Sequence, residues 1–223
     1  MDIKEVVEKR KSIRAFQSKQ VPFAILQDIM HRALRAPSWG NTQPWGFTVV
    51  GGETMKKIKD DFLRLSAEGV HFNPELEMPS EFNEVQSARY KELGKGLLTA
   101  LGIGREDKAK REAYYDQMSL SFGAPQVIYI HLEKGFNQYA LMDCGIIMQT
   151  IALLAVEYGL GTCFLARSVR HPDVVRKHAK IPEDRTIVMG LAIGYPVEDD
   201  PANLFTSKRG DSNEFIQWVD VAE

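Results

Sequence analysis

Residues 139 to 161 read YALMDCGIIMQTIALLAVEYGLG, and no other stretch limits the fold so tightly. The pattern predicts a helix over about 138–158, which at 1.5 Å per residue runs roughly 30 Å. Apolar residues occur nearly all round it, so every side needs cover. A membrane is one form of cover, yet Asp143, Gln149 and Glu157 break the roughly 20 apolar residues that a span requires. The expectation is a buried helix in a soluble protein. A chain of 223 residues is small to enclose such a rod, and a second subunit is a natural cover.

Around that rod, helical and extended patterns intermingle. MDIKEVVEKR predicts a helix with Ile3, Val6 and Val7 on one face, ending in basic residues as helix C-termini prefer. SIRAF then alternates as an extended segment. VPFAILQDIMHRALRAP is amphipathic and closes before Pro37. WGFTVV predicts a buried strand ended by Gly51-Gly52, and ETMKKIKDDFLRL a helix. Residues 66–85 carry two prolines and little periodicity, the mark of a functional loop or lid in a compact domain. Helical patterns follow at about 86–101 and 106–121. APQVIYIHL, GTCFLA and RTIVMGLAIGYP predict strands, HPDVVRKHA a short helix, and the tail NEFIQWV a last apolar strand reaching outward. This mixed order argues for one α+β domain over residues 1–223.

Several function classes drop out. The net charge of −2 offers no footprint for nucleic acid. The start, MDIKEVVEKRKSIRAF, is charged throughout and lacks the apolar core of a signal peptide. Cys144 and Cys163 form no CxxC and are too few for a disulfide scaffold, which fits a reducing, cytoplasmic compartment. No G-x-S-x-G elbow or H-E-x-x-H is present. The five histidines are scattered; His171 and His178 are seven apart, a pair that reads as surface and not as a metal site, so no metal is expected. GKGLLTALG and GLGTCF imitate a dinucleotide fingerprint, but neither follows a strand and opens a helix.

Three segments remain. In RKSIR, residues 10–14, Arg10, Ser12 and Arg14 share one side of an extended backbone. Two guanidiniums and a hydroxyl make an oxyanion clamp; equally, the charge could cap the preceding helix dipole. In RAPSWGNTQPWGF, residues 35–47, two prolines forbid regular structure. That loop reads either as a capped turn beside the core or as a surface for a flat, polar-edged ligand. Trp45 leads into a strand and reads as core. Lys208-Arg209, in LFTSKRGD, is by itself a solvated turn.

Taken in order, RKSIRAF, APSWGNTQPWGF, GLGTCFLA, IVMGLAIGYP and the late SKR resemble the FMN-dependent nitroreductase family over nearly the whole chain. The resemblance implies a mixed, mainly antiparallel sheet flanked by helices, in an intertwined homodimer with exchanged termini and FMN at the interface. It implies that Arg10 and Ser12 hold the FMN phosphate, with Lys11 in the same segment and Arg14 near N1 and O2 of the isoalloxazine. Pro37, Ser38, Trp39, Asn41 and Gln43 come from the neighbouring subunit. The backbone of Leu165 and Ala166 passes the reactive edge, and Lys208 and Arg209 close on the phosphate. Trp39 departs from the family, where a Ser often stands. The middle of the chain matches poorly, leaving Asn83 and Arg89 as candidates and residues 66–121 as an excursion over the active site, with His71, Phe72 and Phe82 as wall residues.

The implied activity is hydride transfer from NADH or NADPH through FMN to nitroaromatic, quinone or similar acceptors, by a ping-pong mechanism. FMN carries the chemistry, so no residue is assigned a catalytic role. Alternatives on the same scaffold are a flavin-binding redox sensor or FMN carrier, a reductive dehalogenase, or a flavin-cleaving enzyme. Expected partners are a second copy and a small acceptor, with no nucleic acid and no membrane.

Overall fold

A computed structural model describes residues 1–221. In chain order its regular elements are α1 (Ile3–Lys9), α2 (Phe23–Ala33), β1 (Gly46–Gly51), α3 (Gly52–Ala67), α4 (Glu84–Ala100) and α5 (Lys108–Ser119). There follow β2 (Gln126–Glu133), α6 (Gln138–Glu157), β3 (Gly161–Leu165), α7 (Pro172–Ala179), β4 (Arg185–Gly194) and α8 (Pro201–Leu204). The strands form one sheet in the order β1-β2-β4-β3, each pair antiparallel. This is the α+β fold with a mainly antiparallel sheet that the sequence predicts. The mixed character comes from one parallel bridge, Ser12 to Thr162, at the outer edge of β3.

Alternation along β2 builds two cores. Ile128, Ile130 and Leu132 face α2 and α6, against Ile29, Ile147 and Ile151. Val127 and Tyr129 face the other way, toward Met55, Ile58 and Phe62 of α3 and Val174 and Val175 of α7. Each such side chain contributes about 1.5–3 kcal/mol on burial. A third cluster joins Ile13, Phe16, Leu97, Tyr114, Cys163 and Leu165 under the N-terminal segment.

α6 is long and apolar enough to cross a membrane, but its packing is one-sided. Ala140, Cys144, Ile147, Ile151 and Ala155 are buried against the sheet. Tyr139, Met142 and Ile146 are 55%, 62% and 40% exposed, on one stripe at helical spacing. One chain therefore covers only half of the rod. α1 shows the same shortfall: Val6 is buried while Ile3 and Val7 are exposed.

Two expectations need correction. The tail forms no strand; after a short turn at Ser212–Glu214 it is irregular, with Phe215, Ile216, Trp218, Val219 and Val221 exposed. A strand exists only beside a neighbour, and among the described residues none pairs with 217–221. His171 and His178 are not free surface groups either. His171 is buried between the rings of Phe62 and Phe72, and His178 Nε2 lies 2.8 Å from Asp61.

The irregular stretch before α4 is pinned midway. Glu75 accepts from Arg176 and from the Ile187 N–H, both at 2.6 Å, and the Asn73 N–H donates to the Arg170 carbonyl. α4 and α5 stand out from the body, with Leu97 and Tyr114 as their buried anchors.

Candidate active site

The RKSIR segment lies against the edge of β3. Ile13 N–H donates to the Thr162 carbonyl at 2.9 Å, and Ile13 itself is buried. Alternation then turns Ser12 and Arg14 outward. Asn203, on α8 and buried, fixes the next turn. Its Oδ1 accepts from Arg14 N–H at 2.7 Å, and its amide donates to the carbonyls of Ala15 and Val197.

Arg10, Lys11, Ser12 and Arg14 line a cleft of about 700 Å³ with Gln149 of α6 and Phe205, Thr206, Ser207 and Arg209 of the late loop. Arg209 is held by the Ser207 hydroxyl at 2.7 Å and two backbone carbonyls. Among the described residues, no carboxylate comes within ion-pair distance of Arg10, Lys11, Arg14 or Arg209. Burial first, and then the nearby Arg209 charge, hold the Arg10 guanidinium below its ordinary pKa. Glu8 also lines the cleft but pairs with none of these cations, and converging unpaired cations cost free energy until an anion arrives. A donor set of guanidiniums and hydroxyls suits a phosphate, so the residues fit FMN. Capping of the α1 dipole does not account for the cluster, because Arg14 and Arg209 lie beyond that helix end.

Lys208 is directed elsewhere, to Glu92 of α4 at 3.1 Å. Leu165 is buried at the end of β3, where its carbonyl accepts from the buried Ser168 hydroxyl at 2.7 Å. Ala166 begins the following 3-10 turn and is half-buried. Gln149 and Asn203 are among the residues around the cleft that sequence reasoning missed. Their signals were a lone amide on an apolar helix and an Asn after Pro201.

The second loop is built around Asp143, a buried carboxylate on α6 that accepts from Trp39 N–H at 3.1 and 3.2 Å. Ser38 Oγ accepts from Gln43 N–H at 2.9 Å. Gly40, Asn41 and Gln43 all have φ between 48° and 56°, a left-handed conformation that costs a non-glycine residue energy. Pro37, Asn41 and Gln43 are exposed, and Trp39, 62% exposed, packs 5.9 Å from Tyr139. Trp45 is core, as its position predicts. None of these loop residues lines the basic cleft; Trp39 and Gln43 instead line a separate cleft with Asn137, Tyr139 and Asp143.

Within the single chain the mid-chain candidates make structural contacts. Asn83 caps α4 in a reciprocal box with Gln86, and Arg89 pairs with Glu214 beneath the Phe215 ring. Phe72 packs at a tilt against His171 and Phe82 stacks on Tyr90, while His71 lines a cleft with Asp61 and Asp173.

Comparison with known proteins agrees. The profile described as Nitroreductase family matches residues 7–195. A 4-nitrobenzoate reductase of Nocardioides sp. (strain LMS-CY) is 31% identical, over 96% of this chain and 90% of the relative. The FMN and NADPH-dependent nitroreductase NfnB from Sphigopyxis sp. strain HMH superposes with a TM-score of 0.95 at 33% identity, covering 99% of this chain and 100% of that one. NfnB from Mycobacterium smegmatis, solved in complex with NADPH, gives 0.91 at 26% identity, covering 98% and 100%.

Proposed function

The chain belongs to the nitroreductase family, and from that premise we propose an FMN-dependent oxidoreductase that passes hydride from NAD(P)H to nitroaromatic, quinone or similar acceptors. The observation that carries this reading is the cleft of unpaired guanidiniums at Arg10, Arg14 and Arg209. When bound, FMN supplies reversible two-electron hydride chemistry, which no side chain can. Arg10, Ser12 and Arg209 hold its phosphate, with Lys208 available once it leaves Glu92. Arg14 opposes negative charge on the pyrimidine edge and so favours the reduced state; each 1.36 kcal/mol of that preference changes the equilibrium about tenfold. Leu165 and Ala166 offer backbone beside the reactive edge. No dinucleotide-binding motif is present, so the nicotinamide donor would share with the acceptor the one site that bound FMN would complete. That sharing predicts ping-pong kinetics, with the proton for reduction drawn from water.

The working unit is a homodimer. The loop Pro37, Ser38, Trp39, Asn41 and Gln43 does not line the cleft of its own chain, and a twofold partner brings it to the cleft of the other. The exposed stripe of α6 supports this, as does the unpaired apolar tail. β1 is an open sheet edge above a groove of Phe23, Leu26, Met30, Leu34, Phe47 and Val49. An extended partner tail suits that edge. Both cysteines are buried and their thiols pushed up by burial, Cys144 to about 12 and Cys163 to about 11. That is compatible with a reducing, cytoplasmic setting, where we place the protein.

The test is spectroscopic. Purified protein should be yellow or take up FMN, and should bleach rapidly when mixed anaerobically with NADPH or NADH. Arg10→Ala should weaken FMN binding roughly 10- to 100-fold, the range for one charge-assisted hydrogen bond. A colourless protein unable to take up FMN would refute the reading.

A further inference from the structure

Two more arginines lack a counter-charge. Arg167 lies within the 3-10 turn Ala166–Val169 that follows Leu165, and Arg170 caps its C-terminal end. The Arg167 guanidinium lies 5.8 Å from the ring centroids of both Phe72 and Tyr115, and Arg170 lies 4.4 Å from that of Phe72. Arg167 Nε is buried with no hydrogen-bond partner. Neither residue has a carboxylate within ion-pair distance among the described residues. Asp116 influences Arg167 from farther off, and Asp173 is engaged by Asn73.

An aromatic face neutralises part of a cation's field but accepts few of its N–H groups. The edges of both guanidiniums are thus left with donors to spend. A carboxylate or phosphate is their matched acceptor. Phe72 and Tyr115 are 50% and 41% exposed, so a flat ring can lie beside them. The place is also right. Arg167 directly follows the backbone assigned to the reactive edge. Tyr115 adjoins Tyr114, 6.2 Å away between ring centroids, and Tyr114 packs in the cluster of Ile13, Cys163 and Leu165 under the basic cleft.

We propose that Arg167 and Arg170 form a second anion site, separate from the cleft at Arg10 and Arg14, which receives the carboxylate or phosphate of a flat aromatic substrate. The proposal rests on the functional reading above and adds to it the residues that choose among substrates. The two sources of the anion are an acidic acceptor and the phosphate of the nicotinamide donor.

Titration of the FMN-loaded protein tests it, using 4-nitrobenzoate, its neutral methyl ester and 2′,5′-ADP as probes, followed by flavin absorbance. In Arg170→Gln, and in Arg167→Gln if it folds, affinity for at least one anionic probe should fall about tenfold relative to the ester, and Arg170→Lys should recover most of it. A loss confined to 4-nitrobenzoate assigns the site to the acceptor. A loss confined to 2′,5′-ADP assigns it to the donor, and a loss of both makes it shared. Equal affinities in wild type and variants, or a loss as large for the ester as for the anions, would overturn the proposal. Failure of the underlying reading shows separately, as wild-type protein that takes up no FMN.

Discussion

A β-carbon at Gly161 would stand 2.3 Å from Ile13 Cγ1 and 2.9 Å from its Cβ. That glycine lets the RKSIR segment lie flat on β3, and its place in GLGTCF reflects this close approach instead of a nucleotide turn. Gly161→Ala should therefore cost about 1–3 kcal/mol by overpacking, read as a lower denaturation midpoint, and should loosen FMN at the same time. Asp61 supplies a pH-dependent contrast. The hydrogen bond from His178 is the largest cause holding its carboxyl below the ordinary value, with Lys177 and Arg64 adding to it against partial burial. The folded pKa is depressed, so this stabilisation is complete above the unfolded carboxylate pKa and is lost as pH falls through the folded one. Asp61→Asn should then lower stability by up to about 1 kcal/mol at pH 7 and by almost nothing near pH 2, in parallel urea melts. At this scale the sequence was legible where chemistry is local. The clustering of Arg10, Ser12 and Arg14 at one cleft was readable because an extended backbone alternates. Gln149 and Asn203 were not, because their partners are far along the chain, and pattern carries no information on such contacts.

The elements were read more completely than the residues, and their failures share a cause. α6, β2 and β4 announce themselves through long apolar runs bounded by turn residues. The tail was misread because β-propensity describes what a segment does beside a neighbour, and its own chain provides none. α6 carries the same lesson: its all-round apolar pattern called for full cover, and one chain covers the face toward the sheet while leaving Tyr139, Met142 and Ile146 exposed. If a second copy supplies the missing cover, a charge on the stripe should split the pair. Met142→Glu and Ile146→Glu should each shift the protein toward monomer in light scattering at concentrations where the wild type is dimeric. FMN content should fall with the loss of dimer. Neither side chain is buried in the single chain, so the helical content seen by circular dichroism should persist.

At the scale of the molecule, the loop at 37–43 and the basic cleft never meet within one chain. If each site borrows its loop from the partner, two damaged chains can make one good site. Arg10→Ala paired with a chain altered at Asn41 and Gln43 combines both defects in one site and neither in the other. Mixing the two after partial unfolding and refolding should restore up to about half of wild-type FMN binding per heterodimer, measured by flavin absorbance against protein. No recovery would place loop and cleft in the same chain. The borrowed loop also has a genetic corollary. In a cell carrying one sound and one loop-defective copy of the gene, every mixed pair would spoil the pocket that the healthy polypeptide built and complete the one that its defective mate built. The loss and the rescue cancel, so such alleles should lower function only in proportion to their dosage and behave as recessive.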